Sequence, residues 1–179
     1  IVSVVGAGHV NGIIELLKSD TGINLEELEV IPKPSNLVKI IAYGIPALII
    51  ASLFYIGYTK GADVAGDNLI FWILANGIPS ALGTVIALAH PLTIISAFLA
   101  APITSLTPVI GAGYVAAFVQ AYYQPPLVKE FETVTEDIGN WKKWWENKLL
   151  KILLVFILSG LGSALGTYVG AYKIISNLF

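Results

Sequence analysis

The sequence predicts an all-α polytopic membrane protein: three spanning helices plus a broken, re-entrant helical hairpin, preceded by a short strand–turn–helix remnant of a soluble α/β domain. Three observations carry this. The chain is 56% hydrophobic and only 12% charged, with a mean hydropathy of +0.78, where globular proteins average roughly 45–50% apolar and about 25% charged residues. Three windows hold no Asp, Glu, Lys or Arg: Ile40–Thr59, Asn68–Val128 and Ile152–Tyr172. The middle window is interrupted by Pro102-Ile103-Thr104-Ser105-Leu106-Thr107-Pro108, where a simple spanning helix would be intact. An uncharged run of that length is too much for the core of a small soluble domain, so its solvent is lipid. Broken backbone inside a bilayer survives only where protein or a water-filled cavity satisfies it.

Taken in order, Ile1–Val5 is short and β-branched, as a buried strand is. Gly6-Ala7-Gly8-His9 turns the chain, and Asn11 is placed to cap a helix over about Gly12–Lys18. Asp20–Glu29 is acidic, and Val30–Ser35 reads as a semi-extended linker, because each proline biases its predecessor away from helix. Residues 1–35 are too few to bury a core of their own. With Ile1 rather than Met at the start, they read as the C-terminal remnant of a soluble domain plus its linker.

The helical transmembrane domain then occupies 36–179. Spans are expected at about 36–58, 68–89 and 149–176, each near the ~20 residues that cross the hydrocarbon. Thr59–Asp67 is the polar loop joining the first two, and His90-Pro91 ends the second. The pieces flanking Thr104–Pro108 each make roughly 18–23 Å of helix, short of the ~30 Å core. A hairpin over about 92–123 therefore fits better than one kinked crossing. Residues 129–148 are strongly charged and contain Trp141, Trp144 and Trp145, which suits a helix lying at the headgroups.

Lysine placement supports the hairpin. With it, Lys33, Lys39, Lys129, Lys142, Lys143, Lys148 and Lys151 share one side, and Lys60 and Lys173 lie opposite. The positive-inside rule makes the lysine-rich side cytoplasmic, so a multi-pass cell membrane protein is expected to keep its N-terminal segment and loop 124–148 there. A net charge of −2 without one Arg gives nucleic acid no footing as a partner. The absence of Cys excludes disulfides, thiolate metal sites and Cys nucleophiles. A charge-free interior also argues against a proton pump or ion-coupled transporter, which carry intramembrane ionisable groups.

Several residues are candidates for more than packing. Thr104, Ser105 and Thr107 at the hairpin tip add hydroxyls to half-helix ends, which together can bind an ion or a small polar solute; the alternative is that they only satisfy a buried turn. Asn76, Ser80 and Thr84 recur every four residues and form one polar stripe on the second span. That stripe suits interhelical hydrogen bonding, with a pore lining as the sharper alternative. Gly162, Gly166 and Gly170 form a small-residue ladder that lets another helix, or a second copy of the chain, approach closely. His90 suits a helix end. Gly6, Gly8 and Gly12 nearly fit a dinucleotide-binding turn, but Glu26–Glu29 leads straight into the Pro-rich linker, with no second strand to complete the unit. His9, just past the expected strand, stands where a metal ligand or general base is commonly displayed.

Four segments together resemble one family. Val4–Ile13 (VVGAGHVNGI), Ala87–Thr93 (ALAHPLT), Ala101–Pro108 (APITSLTP) and Gly162–Thr167 (GSALGT) resemble archaeal TraB/PrgY proteins, the pheromone-shutdown family related to the TIKI membrane metallopeptidases. The resemblance implies an α/β domain with two Gly-x-x-His motifs followed by a helical membrane domain. Gly6–His9 matches the second motif, making His9 a candidate catalytic residue and ligand of a divalent metal. The first motif and the family's basic position have no counterpart in this chain. The fragment alone is therefore expected to bind no cofactor and to be inactive, while the full-length protein acts on a peptide.

The expected function is a membrane-embedded, oligomerising anchor domain of a TraB-like protein that inactivates peptides or pheromones with a metal. Its expected partners are the lipid bilayer and further copies of itself. The alternative is a small channel or transporter using tip 104–108 and the polar face of the second span.

Overall fold

The computed structural model describes residues 2, 4–19, 36–107 and 109–178, and every regular element among them is a helix. The chain separates into two compact units, Ile1–Ser35 and Asn36–Phe179. The acidic stretch 20–29, the linker 30–35 and Pro108 of the hairpin tip lie outside the described residues.

The first unit contains α1 (Ala7–Lys18), and among its described residues the expected strand–turn–helix is not seen. Val2, Val4 and Val5 belong to no element, while Ile1 and Ser3 lie outside the described residues. Gly6 is the helix N-cap, so the expected turn at 6–9 is the first helical turn, and Asn11 sits inside α1 instead of capping it. A lone strand leaves its backbone groups unpaired, whereas a helix pairs them internally.

The second unit begins with α2 (Asn36–Lys60) and α3 (Ala62–Ile86), joined by Gly61 alone. Gly61 has φ 96°, a left-handed conformation that glycine adopts without steric cost. The expected polar loop at 59–67 is thus mostly helix. Asp63 in the first turn of α3 favours this, since a carboxylate there complements the exposed N–H groups. After α3 the chain reverses through Leu88, whose φ of 53° is unusual for a side-chain-bearing residue. The Ala89 N–H closes the helix end on the Thr84 carbonyl.

α4 (Pro91–Thr104) and α5 (Ala112–Tyr123) are the two short helices flanking the break. They run antiparallel: His90 and Thr93 at the start of α4 both bond Gln120 near the end of α5. The 129–148 stretch is three short helices instead of one, α6 (Val128–Glu132), α7 (Val134–Asp137) and α8 (Lys143–Glu146). Side chains interrupt it by competing for local bonds: Thr133 donates to Asp137, and Asn140 accepts the Lys142 N–H. α9 (Lys148–Ser176) completes the unit. Three segments are long and apolar enough to cross a membrane: Ala42–Lys60, Ala62–Ile86 and Lys148–Ser176.

The core is divided. Ile49, Ile56, Trp72 and Ile174 form one buried cluster, with Leu106 from the hairpin tip packed against it. Ala87, Ala97, Ala116 and Val155 form the other. Small side chains dominate the second cluster, so helices meet there with little between them.

Candidate functional site

The face of α3 bearing Asn76, Ser80 and Thr84 meets the face of α9 bearing Gly162, Gly166 and Gly170. The two helices run antiparallel, and glycine sets how close they come. A methyl group on Gly166 would lie 2.6 Å from the Asn76 Cα and collide with the Ala75 carbonyl. One on Gly162 would strike the Pro79 carbonyl, and one on Gly170 would come within 2.7 Å of the Trp72 ring. From the other side, Gly83 of α3 stands against the Leu158 carbonyl. In α5, Gly113 stands against the Phe156 carbonyl in the same way.

Proline adds to this. Pro79 inside α3 lacks an N–H, leaving the Ala75 carbonyl without its helical donor. That carbonyl faces Gly166. Pro102 does the same to Phe98 in α4, whose carbonyl faces Gly77 of α3. Glycine therefore lets freed carbonyls rest against a neighbouring Cα, a contact of the weak Cα–H···O kind.

Polar rungs cross the seam. The Ser80 and Ser159 hydroxyls lie 2.7 Å apart. Thr167 Oγ1 is 2.9 Å from Asn76 Oδ1, and Asn76 Nδ2 donates to the Trp72 carbonyl at 3.0 Å. Thr84 bonds the Ala81 carbonyl at 2.6 Å. All three stripe residues are fully buried, and among the described residues no buried polar side-chain atom lacks a partner. The stripe is thus buried against protein, with its polar atoms paired.

The remaining sequence candidates occupy other places. His90 caps α4, accepting the Leu92 N–H at Nδ1 (3.2 Å), and its ring stacks on Tyr123 at 4.7 Å. At the tip, Thr104 donates to the Ala100 carbonyl, Ser105 to the Pro102 carbonyl, and Thr107 lies 3.0 Å from the Thr104 and Ile110 carbonyls. Those hydroxyls serve their own turn. His9 is exposed on α1 in the first unit, beside Gly6, Gly8 and Gly12 in a shallow groove. Among the described residues, no three His, Cys, Asp or Glu side chains gather to hold a metal ion.

Two polar centres escape the sequence reading. Gln120, buried in α5, accepts from the His90 backbone and the Thr93 hydroxyl, and donates to Gln124. An uncharged amide within a charge-free window carries the same signal as Asn76. Asn147 is the second. Its Oδ1 accepts the Leu149 and Leu150 N–H groups, capping α9, while Nδ2 reaches the Glu130 carbonyl and Asp137. Hydrogen bonds from Asn147 and then Thr133 hold the Asp137 carboxyl below its ordinary range, and the Glu146 carboxylate raises Lys143. An Asn just before an apolar run is a helix-start signature.

Against this geometry, the model of the TraB family protein C-terminal domain matches residues 37–179. The chain belongs to the TraB family. The matched TraB region coincides with the second compact unit to within one residue of its start. An uncharacterized protein of Methanocaldococcus jannaschii is 34% identical over 186 residues, an alignment covering 99% of this chain and 47% of that relative. This TraB chain thus spans about half the length of the curated relative it matches. No solved structure matches it.

Proposed function

We propose that this TraB domain is a membrane-embedded anchor whose helices form a closed bundle, and that it assembles with further copies of itself. One observation supports the anchor reading over a conduit: Asn76, Ser80 and Thr84 find their partners within α3 or on α9. In the bilayer, α4 and α5 enter and leave by one face as a re-entrant pair, with the lysine-rich end of the bundle cytoplasmic. Extraction at alkaline pH and solute flux through reconstituted vesicles test this together. The domain should stay with the membrane and pass no ions. Flux abolished by bulky residues at Ser105 or Thr107 would replace the anchor with the channel.

Peptide or pheromone inactivation is proposed for the longer protein, by family resemblance. The described residues gather no ligand set, so no catalytic step is assigned to this chain. His9 would be one ligand of a divalent metal whose others come from the rest of that protein. Metal-dependent peptide hydrolysis by the longer protein should fall on His9→Ala; unchanged hydrolysis removes His9 from the site.

A further inference from the structure

The three clustered tryptophans of the surface segment divide into two roles. Trp144 Nε1 donates to the Ile138 carbonyl at 3.1 Å, and Trp145 Nε1 to the Ile86 carbonyl at the end of α3 at 2.8 Å. Trp145 thereby pins the segment to the bundle, while Trp144 closes a bond within the segment itself. Trp141 is 70% exposed, packed edge-on against Trp145, with the Lys142 ammonium 5.8 Å from its ring. Leu127, Val128, Phe131 and Ile138 are also exposed, Val128 by 77%.

We infer that Leu127, Val128, Phe131, Ile138 and Trp141 form a lipid-contact face, and that segment 127–146 lies within the headgroup layer as a rigid platform. The inference rests on the bilayer placement proposed above. Continuity selects lipid as the occupant. The segment leaves α5 beside the exposed Phe118 and Tyr122, and enters α9 ahead of the exposed Leu153 and Ile157. The apolar surface therefore continues that of helices in the membrane. Trp145 holds the segment at the end of α3, the level at which the chain leaves that span.

Charge placement agrees. Both Glu130 oxygens are used internally, accepting the Leu127 N–H at 2.6 Å and the Lys148 N–H at 3.0 Å. Asp137 accepts from Asn147 and Thr133, and Lys143 pairs with Glu146. Lys129, Glu132 and Glu136 are exposed to the aqueous side, and the Lys142 ammonium lies over the exposed Trp141 ring. An amphipathic ring beside a cation suits the boundary between acyl chains and headgroups. The platform is also tied to a span, because Asn147 bonds it and caps α9 with the same side chain.

The chain has no Cys, so single Val128→Cys, Trp141→Cys, Glu136→Cys and Leu165→Cys variants can each carry one spin label. The probe is the full chain in vesicles of phosphatidylcholine and phosphatidylglycerol, with collision rates measured for oxygen and for a water-soluble nickel chelate. Labels at 128 and 141 should favour oxygen severalfold over the label at exposed Glu136, approaching the one at Leu165 in α9. Labels at 128 and 141 as nickel-accessible as 136 would overturn the inference, as would shielding from both reagents, the mark of a protein partner. If 165 also fails to favour oxygen, the bilayer placement falls with it. Independently, brominated lipids should quench Trp emission less in a Trp141→Phe variant than in the parent. Equal quenching counts against the platform.

Discussion

α3 has α9 on one face and α2 on another, and glycine behaves oppositely on the two. Toward α9, Gly83 and the partner glycines 162, 166 and 170 admit backbone or an indole ring so closely that no methyl group fits. Toward α2, Gly57 has only ordinary contact with Ala65, 3.4 Å from an added methyl, and Gly66 meets nothing within 4 Å. The first contact is a seam and the second a groove, lined by Phe54, Gly57, Ala62, Ala65, Gly66 and Leu69. A glycine in a membrane helix says that something could come close. Whether it does depends on the facing helix.

The largest way to break this contrast is at the seam. Gly166→Ala should cost about 1–3 kcal/mol, because an extra carbon must displace the Asn76–Ala75 backbone. Chemical denaturation in mixed micelles would measure it. At the cap of α9, Asn147→Ala should cost about 1–2 kcal/mol, since the cap is lost and the platform loses its tie. The same denaturation curves, with proteolysis between 127 and 146 as a second readout, would report it. In the groove, Gly66→Ala should stabilise by about 0.5–1 kcal/mol, because alanine favours helix and has open space. A seam-sized loss there would erase the distinction.

Smaller effects sharpen it further. A double-mutant cycle with Ser80→Ala and Ser159→Ala should give a coupling of about 0.6 kcal/mol, typical of interhelical hydrogen bonds in a membrane. The smallest expected effect is on pH. Asp137 is held below the ordinary carboxylate range in the folded chain. Its contribution is therefore present above that range and lost as pH falls through the lowered folded value. Protease sensitivity of the platform should rise only in that acid window, and Asp137→Asn should flatten the rise.

Much of the second unit is legible in the sequence because lipid enforces simple rules. Two uncharged windows of span length and the start of a longer, broken one give three spanning helices, and spacing by four places Asn76, Ser80 and Thr84 on one face. The partner of that face is not legible, since Gly66 and Gly166 look alike until the neighbouring helix arrives. Boundaries also shift where one residue does a loop's work: Gly61 alone joins α2 to α3, and the polar residues after it begin a helix. The 129–148 stretch has helical composition, yet Thr133 and Asn140 spend their side chains on local bonds that divide it. Ile1–Val5 has strand composition, but a strand forms only with a partner: the described Val2, Val4 and Val5 belong to no element, and Ala7–Lys18 pairs its own backbone.

The seam and its register are the account's central claim, and a cross-link tests them most directly. The chain has no Cys, and the Ser80 and Ser159 hydroxyls lie 2.7 Å apart, so Ser80→Cys with Ser159→Cys brings two sulfurs within reach of a bond. Mild oxidation in native membranes should close an intramolecular disulfide between α3 and α9, while Gly66→Cys with Ser159→Cys should remain reduced. Failure of the first pair to close, or equal closure by both, would contradict the register described for α3 and α9.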